Sequence, residues 1–178
     1  MTMVSVFCGI SVDGFLARAD GTLDFLDEGG AEPHGYTEFM ATVDTLVIGR
    51  GTYEVVLGFG EWAYDKKRVV VLSSSPIDFS GARASGAVVE QMAGRPAEIL
   101  AKVAGSGARH IYVDGGITIQ RFLREGLVDR LTISRVPVLI GRGIPLFGSL
   151  PHDVRLKHVA TQSYKTGLVK TEYEVIRS

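Results

Sequence analysis

Three short runs, "TLVIG", "RVVVLS" and "HIYVDGG", are apolar, largely β-branched and free of the polar alternation that marks a half-exposed strand. Strands of this kind are covered on both faces, the condition found inside a parallel sheet. The spacing predicts strands over 4–9, 45–49, 68–73, 86–90, 110–114, 129–139, 156–163 and 168–176. Helical patterns fall between them at 34–43, 52–58, 96–104 and 118–125, with Pro96 suited to a first helical turn. Strands that alternate with helices need crossover connections and so a largely parallel sheet. The chain ends differently. Two strand-like runs joined around Lys165, Thr166 and Gly167 read as a hairpin that adds antiparallel strands at one edge.

With 178 residues and 46% hydrophobic content, the chain fits one soluble domain, 1–178, with a core of its own. Net charge is −1, so no global field recruits nucleic acid or an acidic membrane surface. "KKR" at 66–68 is the densest basic run, and reads either as a solvated strand entrance or as a phosphate contact. Cys8 is the one cysteine, which excludes an internal disulfide and a cysteine-rich metal site; in its apolar segment it reads as a core residue. No metal site is expected. The first residues lack a secretory pattern, and no run reaches the ~20 apolar residues of a membrane span. A cytoplasmic protein is the expectation.

Two strand-to-helix junctions carry the chemical signal. In "LVIGRGTYEVV" and in "IYVDGGITIQRFL", glycine closes a buried strand and a threonine opens the next helix. Glycine permits a sharp turn and a close approach of ligand to backbone. The first helical turn offers unpaired N–H groups and the positive end of the dipole, an anion site. One such helix end contributes about 0.3–1 kcal/mol, so two converging on a diphosphate matter where one does not. The bland alternative is that glycines and N-cap threonines simply end strands and begin helices, as in any α/β protein.

Arg50 separates the readings. A guanidinium at a helix N-terminus is badly placed for the dipole and well placed for a bidentate phosphate contact. Ser73 and Ser74 follow the next strand on the same sheet edge; they suit a ribose 2′-phosphate, or else begin a turn before Pro76. In "CGISVDGFLARADG" a glycine-punctuated loop leaves the first strand, and backbone groups of Gly9 and Leu16 are available to a flat amide-bearing ring, although Asp13 and Gly14 also make an ordinary turn. "GRG" recurs at 141–143 without a following helix and reads as a turn. Phe15, Leu16 and Phe39 are candidate apolar walls. Trp62, beside Tyr64, either overhangs a substrate or packs in the core or a dimer interface.

Taken in order, "ISVDGFLA", "LVIGRGTYE", "VLSSSP", "IYVDGGITIQRFLREGLVDRLTISRVP" and "GIPLF" resemble the RibD C-terminal domain family, over residues 3–176. The resemblance implies an α/β, dihydrofolate reductase-like three-layer fold, with a mainly parallel central sheet of about eight strands and a C-terminal antiparallel hairpin. It implies NADPH as hydride donor and a pterin-like or ribosylaminopyrimidine heterocycle as substrate. It further implies that Gly49, Arg50 and Thr52 meet the adenosine and diphosphate half, Ser73 and Ser74 the 2′-phosphate, Gly115, Gly116, Ile117 and Thr118 the diphosphate, and Gly9 and Leu16 the nicotinamide. A homodimer is expected on the same ground.

Dihydrofolate reductases carry an acidic residue on the first helix, and here Gly35 and Tyr36 occupy that region, with Glu38 one turn on. Asp13, Glu38 and solvent are the candidate proton sources. The length leaves no room for a fused deaminase domain, and its H-x-E and P-C-x-x-C zinc signature is absent. Two other readings stand beside the reductase: a nucleotide-binding protein of the same fold without turnover, and an interaction domain whose glycine junctions are structural.

Overall fold

The computed structural model describes residues 1–30 and 34–177. An eight-stranded sheet runs through its centre in the order β5-β4-β3-β6-β1-β7-β10-β9. Its members are β1 (Met3–Ser11), β3 (Thr45–Gly49), β4 (Arg68–Leu72), β5 (Val88–Met92), β6 (His110–Asp114), β7 (Arg130–Val136), β9 (Leu156–Ser163) and β10 (Val169–Val175). The first six are mutually parallel. β10 lies antiparallel to β7 and to β9, the hairpin expected around Gly167. A second, two-stranded sheet pairs β2 (Phe15–Ala17) with β8 (Ile144–Pro145).

The apolar runs are explained by two cores, one on each face. Val70 packs with Val47, Val4, Val6, Ile99, Val103, Ile119 and Phe122 under α4 (Pro96–Gly105) and α5 (Gly116–Arg124). Its neighbours Val69 and Val71 turn the other way and join Leu46, Ile48, Tyr53, Val56 and Phe79 under α2 (Arg50–Leu57) and α3 (Ser80–Ala84). Alternate residues of one strand thus serve opposite cores, which is why polar alternation is missing. Truncating Phe122, fully buried on α5, would cost about 3–5 kcal/mol.

α2 and α5 therefore leave adjacent parallel strands, β3 and β6, toward opposite faces of the sheet. The chain then continues from β3 to β4 on one side and from β6 toward β7 on the other. That divergence is a topological switch point, and it opens a crevice beyond the strand ends where ligands of α/β proteins bind.

Several bounds differ from the sequence reading. β5 starts two residues later than expected, and β7 ends at Val136, where the chain leaves the sheet for the β8 loop. α1 is the short segment Tyr36–Thr42; it follows a 3-10 helix, Asp24–Gly29. Pro33, just before the first expected helix, lies outside the described residues, as does Ser178. Beyond the turn expected at Ser73 and Ser74, the stretch after β4 holds α3. The recurrent "GRG" leads into β8, not merely a turn. Among the described residues no helix is long and apolar enough to cross a membrane.

Candidate active site

The two junctions sit side by side because Ile48 of β3 registers with Asp114 of β6. Both helices begin earlier than the threonines suggested: α2 at Arg50 and α5 at Gly116, with Gly49 and Gly115 as their N-caps. The threonines are not caps. Thr118 is buried against Gly49, where an added Cβ would come within 2.9 Å of its Oγ1. Thr52 does the same to Gly115, whose Cβ position its hydroxyl already fills. No side chain caps either helix, so their first N–H groups remain available to an anion.

A cavity of about 490 Å³ opens on one side of this pair, lined by Arg50, Ser73, Ser74, Ser75, Gly94 and Arg121. Arg50 is half-exposed and pairs with Glu54 one turn on, at 2.9 Å. Surface pairs of this type are worth about 0.3–0.5 kcal/mol, too little to compete with a bidentate phosphate. Arg121 Nη2 donates to the Gly94 carbonyl at 2.9 Å. The Ser73 hydroxyl takes part in the local turn, bonded to the Ser75 carbonyl and N–H.

A second cavity, about 420 Å³, lies on the other side. Gly9 and Leu16 line it, as do Thr52 and Val56 of α2, Phe7 and Tyr112 of the sheet, and Phe59, Tyr64 and Tyr36. Phe39 stacks behind Phe7 at 4.9 Å, one layer back from the wall. Trp62 packs edge-on against Tyr64 and Tyr53 in the core and is not part of the lining. β2 and β8 fold as a flap over the start of α5, with Leu16 reaching the cavity: the Leu146 N–H donates to the Gly14 carbonyl at 3.0 Å, and Leu16, Ile144 and the Pro145 carbonyl close on Gly116. Ile117 stays exposed at the rim.

Among the described residues one carboxyl group lines this cavity, that of Asp114. Its Oδ1 accepts the Gly115 N–H at 2.8 Å. Desolvation among aromatic neighbours pushes its carboxyl above the ordinary carboxylate range. Burial, reinforced by the Asp114 charge, lifts the Tyr36 phenol to about 12. The candidates read from sequence are elsewhere. Asp13 is exposed and clamps the β8 loop, accepting the Gly141 N–H at 2.8 Å and the Ile140 N–H at 3.2 Å. Hydrogen bonds, led by that from the Ser11 hydroxyl, hold its carboxyl below the usual range, the wrong direction for an acid at neutral pH. Glu38 is exposed on α1 and lines neither cavity. The signal for Asp114 was present as the last residue of an apolar strand, but it was read as part of the phosphate turn.

The sequence profile of the RibD C-terminal domain matches residues 2–170. The chain belongs to the RibD C-terminal domain family. The uncharacterized protein YwjB of Bacillus subtilis (strain 168) is 32% identical over 171 residues, with 89% of this chain and 90% of YwjB covered. Among solved structures, a candidate riboflavin biosynthesis protein from Shewanella sp. PV-4 superposes with a TM-score of 0.90 at 34% identity, covering 98% of this chain and 99% of that one. The dihydrofolate reductase of Enterococcus faecalis, complexed with NADP(H), shares the fold at TM-score 0.67 and 20% identity, over 97% of this chain and 96% of its own. So does the deaminase/5-amino-6-(5-phosphoribosylamino)uracil reductase of Thermotoga maritima, at TM-score 0.77 and 14% identity, over 98% of this chain and 57% of that one. The eight-stranded, mainly parallel sheet with its terminal hairpin is the dihydrofolate reductase-like arrangement the RibD resemblance implied.

Proposed function

We propose that this RibD-type domain is an NADPH-dependent reductase of a planar pterin-like or aminopyrimidine-like heterocycle. One observation carries the reading. The phosphate-suited cavity and the apolar cavity share the β3–α2 junction, with Arg50 on the wall of one and Thr52 on the wall of the other. A dinucleotide is a molecule of that shape: charged along one half, flat and uncharged at one end.

The chain's residues fit such a cofactor. Uncapped N-termini of α2 and α5, at Gly49, Arg50, Gly115 and Gly116, would hold the diphosphate. Arg50 and Arg121, with Ser73 and Ser74, would hold a 2′-phosphate, favouring NADPH over NADH. Backbone groups of Gly9 and Leu16 would address the nicotinamide, whose C4 supplies the hydride when bound. Phe7, Val56 and Tyr112 exclude water from the transfer, and the flap completes the enclosure. Asp114, whose carboxyl burial pushes above the ordinary range, would hold the proton for the heteroatom next to the reduced carbon. It supplies from β6 the acid that α1 lacks, which favours turnover over the silent nucleotide-binding alternative. Assembly as a homodimer is part of the proposal, to be checked by sedimentation.

The test follows NADPH absorbance with dihydropterins, aminopyrimidines and related heterocycles. Steady oxidation with at least one acceptor is expected. Saturable NADPH binding with no oxidation across that panel would favour the silent alternative, and absence of binding would remove both.

A further inference from the structure

The apolar cavity also describes what it accepts. Its lining contains no lysine or arginine among the described residues, whereas the neighbouring cavity has two arginines. Two of the cations that flank it are already engaged. Arg18, between Leu16 and Leu23, pairs with Asp24. Lys170, beside Ser134 in the sheet, is largely buried under Gly35 and lies 3.4 Å from Glu172. A phosphate taken into this space would lose its hydration and meet no lysine or arginine among the described lining residues.

Polar recognition is nevertheless built in. Ser134 on β7 is 5% exposed and lines the cavity, yet its Oγ has no hydrogen-bond partner among the described residues. His34 lines the same cavity, and its Nε2 is likewise buried with no partner among the described residues. Native proteins rarely leave such groups unpaired, and a bound molecule is one way they are satisfied. A hydroxyl donates or accepts and an imidazole does one of each, which matches the mixed edge of an amide-like heterocycle. The same cavity must also hold a nicotinamide beside Gly9 and Leu16, so acceptor and cofactor ring share one lining.

Granting the reductase reading, we infer that the hydride acceptor is an uncharged, unphosphorylated planar heterocycle whose polar edge is read by Ser134 and His34. It is therefore not the phosphoribosyl compound named for the Thermotoga enzyme, and a dephosphorylating or phosphate-free route must supply it.

The experiment is calorimetric binding of a matched pair, 5-amino-6-(ribosylamino)uracil and its 5′-phosphate, to the NADP⁺-loaded protein and to the free protein. The expected result is tighter binding of the unphosphorylated compound by roughly tenfold or more. Ser134→Ala should weaken that binding by roughly three- to tenfold while leaving NADP⁺ affinity and melting temperature unchanged. Equal or tighter binding of the phosphate, or no binding of either compound, overturns the inference; so does indifference to Ser134→Ala. NADP⁺ affinity is read separately and its failure strikes the reductase reading alone, since the pair is also compared on the free protein.

Discussion

The hydroxyl of Thr52 occupies the place where a side chain on Gly115 would stand. Gly115 has φ 93°, in the left-handed region that β-carbons disfavour, so its turn requires glycine twice over. Gly115→Ala should destabilise the protein by about 1–3 kcal/mol in denaturant unfolding. Adding Thr52→Ala should restore part of the loss, because the clash disappears while the backbone strain stays. Strict additivity would show that the two junctions are not interlocked.

Asp114 should separate catalysis from stability. Its folded pKa lies above its unfolded value, so the folded state binds more protons, and the stability it contributes at low pH is lost as pH rises through the folded pKa. Asp114→Asn should therefore be as stable as wild type or more so at pH 8, and should lower turnover by about 10²–10⁴ with cofactor binding kept. In the wild type, turnover should fall as pH rises past that pKa. A destabilised, fully active Asn variant would end its assignment as the acid.

Asp13 has the opposite profile. As a clamp on Ile140 and Gly141, its replacement by alanine should loosen the β2–β8 flap and raise the cofactor KM. Most of kcat should survive. A kcat loss of 10² or more, with KM unchanged, would return Asp13 to the role of proton source.

His110 sets a pH limit on the fold at the far end of the sheet. Its Nε2 meets the Ser5 hydroxyl at 2.8 Å and its Nδ1 meets Thr42, contacts that suit a neutral ring donating from Nδ1 and accepting at Nε2. Burial lowers its pKa, offset in part by Thr42 and Asp44. The folded state then binds fewer protons than the unfolded one, and stability should decline as pH falls below about 6.5 toward the depressed value. Urea midpoints between pH 5 and 7.5 should show this slope in the wild type and a shallower one in His110→Gln. Parallel slopes would contradict it.

Much of the fold was legible because its strands are doubly covered. All eight members of the main sheet stand near where uninterrupted apolar runs or terminal alternation placed them. β2 and β8, with three and two residues, are too short for any periodicity to register. Helix starts were misplaced because Thr52 and Thr118 look like caps in one dimension, whereas their partners are glycines more than 60 residues away. The cavity lined by Arg50, Ser73 and Ser74 was foreshadowed by arginine and serine at strand ends. The lining of the apolar cavity was not. Ser134 is one polar residue in an ordinary strand and His34 precedes a short helix; only the fold shows both lining one cavity.

The most direct test of the dinucleotide cradle is a calorimetric titration of NADPH and NADH into the wild type and into an Arg50→Ala/Arg121→Ala variant. NADPH should bind the wild type roughly tenfold or more tightly than NADH, and the variant should lose that preference while keeping its melting temperature. Equal affinities in the wild type, a preference that survives the double replacement, or no binding of either nucleotide would contradict it.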